Sequence, residues 1–133
     1  MNLFLKGVAS VLEVDEVDLD LDFRTVPGWC SLQGFGLLVL LENDWGASVS
    51  IDRFLGMKSV RDLYREAFLA LAAKVFGVER ATLSGDLGYG EIPEWSSVNH
   101  LKLVMEAENR FGVSYPFERV PFLRRLDDFL VDS

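Results

Sequence analysis

Two serines stand where an attachment point or a nucleophile would be useful: Ser31 in Trp29-Cys30-Ser31-Leu32 and Ser97 in Trp95-Ser96-Ser97-Val98. Each is followed by an apolar segment with helical spacing, so each hydroxyl falls at the start of a helix. The free N–H groups and the dipole of a helix N-terminus favour an anion. The same position suits an N-cap, and Ser31 is a good N-cap candidate; either serine read alone needs no further role. Cys30 lies beside a helix N-terminus, where a thiol becomes more acidic, yet it reads more simply as a partly buried structural cysteine. His100 has no acidic or nucleophilic partner in its motif and reads as an exposed helix residue. Trp29 and Trp95 read as loop anchors packed into the core, and Glu106 and Glu108 as ordinary helix carboxylates. No nucleophile, base and orienting group recur at a recognisable spacing, so the chain is read as not itself an enzyme.

The serines are 66 positions apart in a chain of 133 residues. Val26-Pro27-Gly28 precedes the first quartet and Ile92-Pro93-Glu94 the second, and the segments close on Trp45-Gly46 and Phe111-Gly112. Ser31 to Tyr64 aligns with Ser97 to Leu130 without a gap, and the earlier loop is two residues longer in the second copy. This is an internal duplication, with halves at 1–66 and 67–133.

Each half has the same predicted order. Phe4, Leu5, Val8, Val11 and Leu12 give the first helix, and Phe68, Leu71, Ala72, Val75 and Phe76 its counterpart, stopped at Gly77. Val14 to Asp22 reads as an acidic loop anchored by Val17, Leu19, Leu21 and Phe23; its counterpart is the loop from Glu79 to Glu94. The central helices run from about Leu32 to Asp44 and from about Val98 to Arg110, the second with an apolar face of Val98, Leu101, Val104, Met105 and Phe111. Gly34 and Gly36 weaken the first by about 1 kcal/mol each. A short turn within Ser50 to Gly56 and the connector Glu118 to Pro121 follow. Ser59 caps a last helix in the first half, and Leu126, Phe129 and Leu130 mark that of the second. Helical periodicity is continuous from Ser59 to Val78, so those two helices abut or fuse with no flexible linker.

Halves of about 66 residues are near the lower limit for independent folding, which favours packing of one on the other. The net charge is −8, acidic in both halves, which disfavours nonspecific nucleic-acid binding and weakly favours basic protein partners. One cysteine and one histidine exclude an intramolecular disulfide and a cysteine-based zinc site. The N-terminus lacks a signal-peptide pattern, and the most apolar run, Phe35 to Leu41, is too short to cross a membrane. A soluble cytoplasmic protein is the simplest expectation.

The order helix, long loop, serine, helix, connector, helix resembles the acyl carrier protein family. The second copy carries the resemblance best, from Trp95-Ser96-Ser97-Val98 through Leu103-Val104-Met105-Glu106 to Phe111-Gly112-Val113. The first carries it through Trp29-Cys30-Ser31-Leu32 and Leu38-Val39-Leu40-Leu41-Glu42 to Trp45-Gly46. The resemblance implies an all-α fold of two tandem acyl-carrier-like bundles, three to four helices each, packed closely. It implies 4′-phosphopantetheine on a serine, carrying acyl groups as thioesters for fatty-acid, polyketide or similar biosynthesis. Ser97 is then the first attachment candidate and Ser31 the second. The apolar residue after the serine, Val98, selects Ser97 over Ser96. The implied partners are a phosphopantetheinyl transferase and acyl-transferring and acyl-modifying enzymes. Cys30 and Ser96 stand where that family usually has an acidic residue. A carrier-like docking module without the arm and a small-ligand-binding helical protein are the other expectations.

Overall fold

A computed structural model describes residues 2–132. Helix makes up 60% of the protein, with no strand among the described residues. Helix α1 (Leu3–Leu12) is capped by Asn2, whose side chain accepts from the Leu5 amide, and ends at Glu13 in the left-handed region. An irregular segment with a 3₁₀ turn at Phe23–Thr25 leads to α2 (Ser31–Val39), which continues as a π-helical turn over Leu40–Asp44. After the short α3 (Ile51–Leu55) comes α4 (Val60–Phe76). A second long loop precedes α5 (Ser97–Phe111), and 3₁₀ turns at Phe117–Phe122 and Leu126–Phe129 complete the chain.

Helix α4 passes from Arg65 to Glu66 and Ala67 without a break. Its start is secured by a capping box, Ser59 accepting from the Asp62 amide while the Asp62 carboxylate accepts from the Ser59 amide. Gly77, at φ +71°, ends it as only an unbranched backbone does easily. The buried side chains form one cluster that includes Phe4, Leu37, Leu63, Phe68, Trp95, Phe111 and Phe129, drawn from both sequence halves.

The hydrogen bonds that tie each long loop to the segment ahead of the last helical element repeat at the 66-residue offset. Val60 donates to Leu21 and Leu126 to Leu87; Arg61 to Leu19 and Asp127 to Gly85; Phe23 to Lys58 and Tyr89 to Arg124. Asp22 and Ser59 form an isolated antiparallel bridge, and so do Gly88 and Arg125. Asp62 accepts from the amides of Lys58 and Ser59; Asp128 accepts from those of Arg124 and Arg125. Packing is reciprocal as well: α1 contacts α5, and α4 contacts the π turn that extends α2.

Several details differ from the sequence expectations. Gly36 is a contact point: a Cβ there would lie 2.9 Å from Val11 Cγ1, so α1 and α2 approach more closely than a side chain permits. Of the expected α5 face, Val104 and Phe111 are buried, but Val98, Leu101 and Met105 are exposed; His100, Leu103 and Ala107 take the inward positions. The connector Glu118 to Pro121 lies in a 3₁₀ turn, and the last helix is likewise only a 3₁₀ turn. No helix among the described residues is long and apolar enough to cross a membrane.

Candidate functional site

Neither candidate serine is the N-cap of its helix. The cap of α5 is Ser96, in extended conformation, whose hydroxyl accepts from the Asn99 amide at 3.3 Å. Asn99 Nδ2 donates back to the Glu94 carbonyl at 2.7 Å, tying the entry loop to the first turn. Ser97 is the first helical residue, exposed, with its hydroxyl outside the cap. In α2 the cap position belongs to Cys30, which makes no side-chain capping bond, and Ser31 is the exposed first residue. The N-cap expectation for Ser31 is therefore off by one position. Cys30 is exposed instead of partly buried: it stands as the extended residue ahead of the helix and makes no side-chain capping bond.

Behind each serine an indole closes the loop against the core. Trp95 is fully buried and Trp29 half-buried. Trp95 meets Tyr89 edge-on at 5.8 Å, and Trp29 meets Phe23 edge-on at 5.5 Å, the same pair at the same offset. Under the rings the halves diverge. Trp29 lies over Gly34, 3.5 Å from where a Cβ would be, with Phe54 beside it. The equivalent of Gly34 is His100, which is buried, not exposed. Trp95 Nε1 donates to His100 Nδ1 at 3.0 Å, which leaves the ring proton on Nε2 to donate to the Val120 carbonyl at 2.9 Å. That bridge holds the start of α5 against the Phe117–Phe122 turn. The spacing Trp-x4-His against Trp-x4-Gly was a sequence signal for this inward position.

A cleft of about 770 Å³ opens beside Ser97, with Tyr89, Leu101, Val120 and Leu123 as apolar wall and Glu91, Arg124 and Arg125 as its charged lining. It stands between the entry loop, α5 and the 3₁₀ turn because the loop-to-turn bonds at Tyr89–Arg124 and Leu126–Leu87 fix their spacing. Sequence reasoning missed both arginines and the cleft, since all depend on the fold.

Next to each serine runs an exposed apolar stripe. Leu32, Phe35 and Val39 on α2 match Val98, Leu101 and Met105 on α5, residue for residue. Leu32 and Val98 are 76% and 72% exposed, and the flanking Ile51 and Phe117, also equivalent, are 68% and 81% exposed. The exposed apolar residues thus recur at the same offset in both halves instead of being scattered singly. No group of three or more His, Cys, Asp or Glu that could hold a metal occurs among the described residues.

The fold and this site define a small all-α protein that displays two equivalent serines at helix starts. Comparison of the chain with family models, with curated proteins and with solved structures finds no match.

Proposed function

We propose that the chain is a tandem acyl carrier protein, with two carrier-like bundles (1–66 and 67–133) fused through α4. Ser97 is the attachment point for 4′-phosphopantetheine, and Ser31 is a second one. The observation that carries this reading is the paired exposure of Ser31 and Ser97 as first residues of equivalent helices, with hydroxyls outside the cap. The repeated loop-to-turn hydrogen bonds support two copies of one bundle plan.

The residues at Ser97 fit the group. The N-terminus of α5 favours a phosphodiester there. Arg124 and Arg125 line the adjoining cleft with one carboxylate, Glu91, an excess of one positive charge, and its wall of Tyr89, Leu101, Val120 and Leu123 suits an apolar or amide chain. The arm would supply a thiol that carries acyl groups as thioesters. The exposed stripes on α2 and α5 would meet the phosphopantetheinyl transferase and the acyl-transferring and acyl-modifying enzymes. Apolar contact would replace the acidic recognition usual in that family, since Cys30 and Ser96 precede the serines. In this reading the chain is not an enzyme, works in the cytoplasm and binds no nucleic acid.

The same stripes favour a second reading, a docking module that carries no arm. Intact mass after incubation with coenzyme A and a broad-specificity phosphopantetheinyl transferase separates the two. Addition of one arm that Ser97→Ala abolishes and Ser31→Ala retains supports a single loaded copy; two arms support both. A protein of unchanged mass would remove the carrier reading and leave the docking module.

A further inference from the structure

We infer that the cleft between α4 and the C-terminal half of α5 binds a small organic monoanion with an apolar body. This cleft, about 630 Å³, is separate from the one beside Ser97 and is lined by neither serine. Lys74, Lys102 and Arg110 border it against two carboxylates, Asp44 and Glu106. Neither lysine side chain forms an ion pair or hydrogen bond among the described residues. Arg110 is held in place by the Asp44 carbonyl, to which Nη2 donates at 3.1 Å, and by the Trp45 ring, 5.1 Å below its guanidinium. Ala70, Leu71 and Val75 supply apolar wall. The excess of one positive charge over an apolar wall complements an anion of single charge, and it occurs in a protein of net charge −8.

The internal repeat provides a control for this cleft. The corresponding groove in the first half, between α1 and α2, is shut by direct contact. A Cβ at Gly36 would meet Val11 at 2.9 Å, and one at Gly7 would meet Leu40 at 3.2 Å. The equivalents of Gly7, Gly36 and Leu40 are Leu71, Lys102 and Glu106, all of which line the open cleft. The equivalents of its three cations, Ser10, Gly36 and Asp44, carry no positive charge. Only one of two equivalent grooves is thus both open and basic. Three cations facing two carboxylates leave the concave site one positive charge in excess, and a bound anion offsets the remaining repulsion.

Octanoate titrated into the full-length protein, followed by amide and indole NMR shifts, tests the site. Saturable one-to-one binding is expected, with shifts in α4, α5 and the Trp45 indole, weakening as salt is raised. Lys102→Glu and Lys74→Glu should each weaken it by at least about tenfold, a change of roughly 1.4 kcal/mol. Lys58→Glu, outside the cleft lining, should not, and circular dichroism of all three should match the parent. Absence of saturation, equal binding of octanol, or unchanged affinity in both cleft variants would overturn the inference. Shifts confined to the residues around Ser97 would do the same.

Discussion

Trp45 and Phe111 stack face to face, their ring centroids 4.7 Å apart and their planes within 6° of parallel, and they occupy equivalent places in the two halves. Contact between equivalent residues is what a two-fold relationship produces on its axis. Each ring also packs on the first-helix phenylalanine of its own half, Phe4 at 5.5 Å and Phe68 at 6.3 Å. Asp44 and Arg110, the preceding equivalent pair, touch as well.

The stacked pair joins two small sets of helices into one core, so unfolding should be a single cooperative transition. Phe111→Ala should lower stability by about 3–5 kcal/mol. Trp45→Phe should lower it by much less, because a ring remains to stack. Denaturant titrations followed by circular dichroism and by tryptophan fluorescence should coincide. Two separated transitions would contradict a shared core.

Gly36 allows α1 and α2 to meet, and Gly36→Val should cost about 1–3 kcal/mol through overpacking against Val11. Val11→Ala should recover part of that loss when combined with it. A double-mutant cycle measures the coupling; strict additivity would show that the two residues do not compete for one space.

His100→Leu leaves the Trp95 indole donor and the Val120 carbonyl without their shared partner. An unsatisfied buried group costs about 1–3 kcal/mol. The Trp95 indole proton should also exchange with solvent faster relative to the parent. Unchanged stability and exchange would mean that water replaces the imidazole fully.

Burial pushes the Tyr64 phenol up to about 12, against a bonded Asn2 amide that pulls the other way. The unfolded phenol ionises near its ordinary value of about 10. The folded state therefore holds its proton longer, and this contribution to stability is full below about pH 10 and is lost as pH rises toward 12. Tyr64→Phe should flatten the alkaline limb of the stability profile. An identical limb in that variant would place the pH dependence elsewhere, for instance at Tyr115, whose phenol burial also raises.

Much of the framework was legible from residues whose role is local. Ser59 with Asp62, Gly77 and the aromatic-Gly pairs announce helix ends through capping and left-handed backbone, which need no tertiary context. The face of α5 was misread because that helix carries two apolar stripes. Val98, Leu101 and Met105 satisfy helical spacing as well as Leu103, Val104, Ala107 and Phe111 do, and periodicity does not say which faces inward. His100 completes the inward stripe and hid it, since a polar residue reads as solvent-facing until its two partners are known. The starts of α2 and α5 were legible to within one residue. The clefts were not legible, because one depends on how Lys74 and Lys102, and the other on how Ser97 and Arg124, come together from distant segments.

The unbroken course of α4 carries a consequence for simultaneous engagement. At about 1.5 Å per residue its 17 residues form a strut of roughly 25 Å. With no slack between the halves, the spacing and orientation of Ser31 and Ser97 are properties of the folded molecule and not of a wandering tether. A flexible linker lets a second site sample many distances and gives a graded gain in avidity. On the proposed reading of the two serines, a strut would make that gain all or none: a partner with two sites would either match its geometry and gain the full effective concentration, or meet one serine at a time.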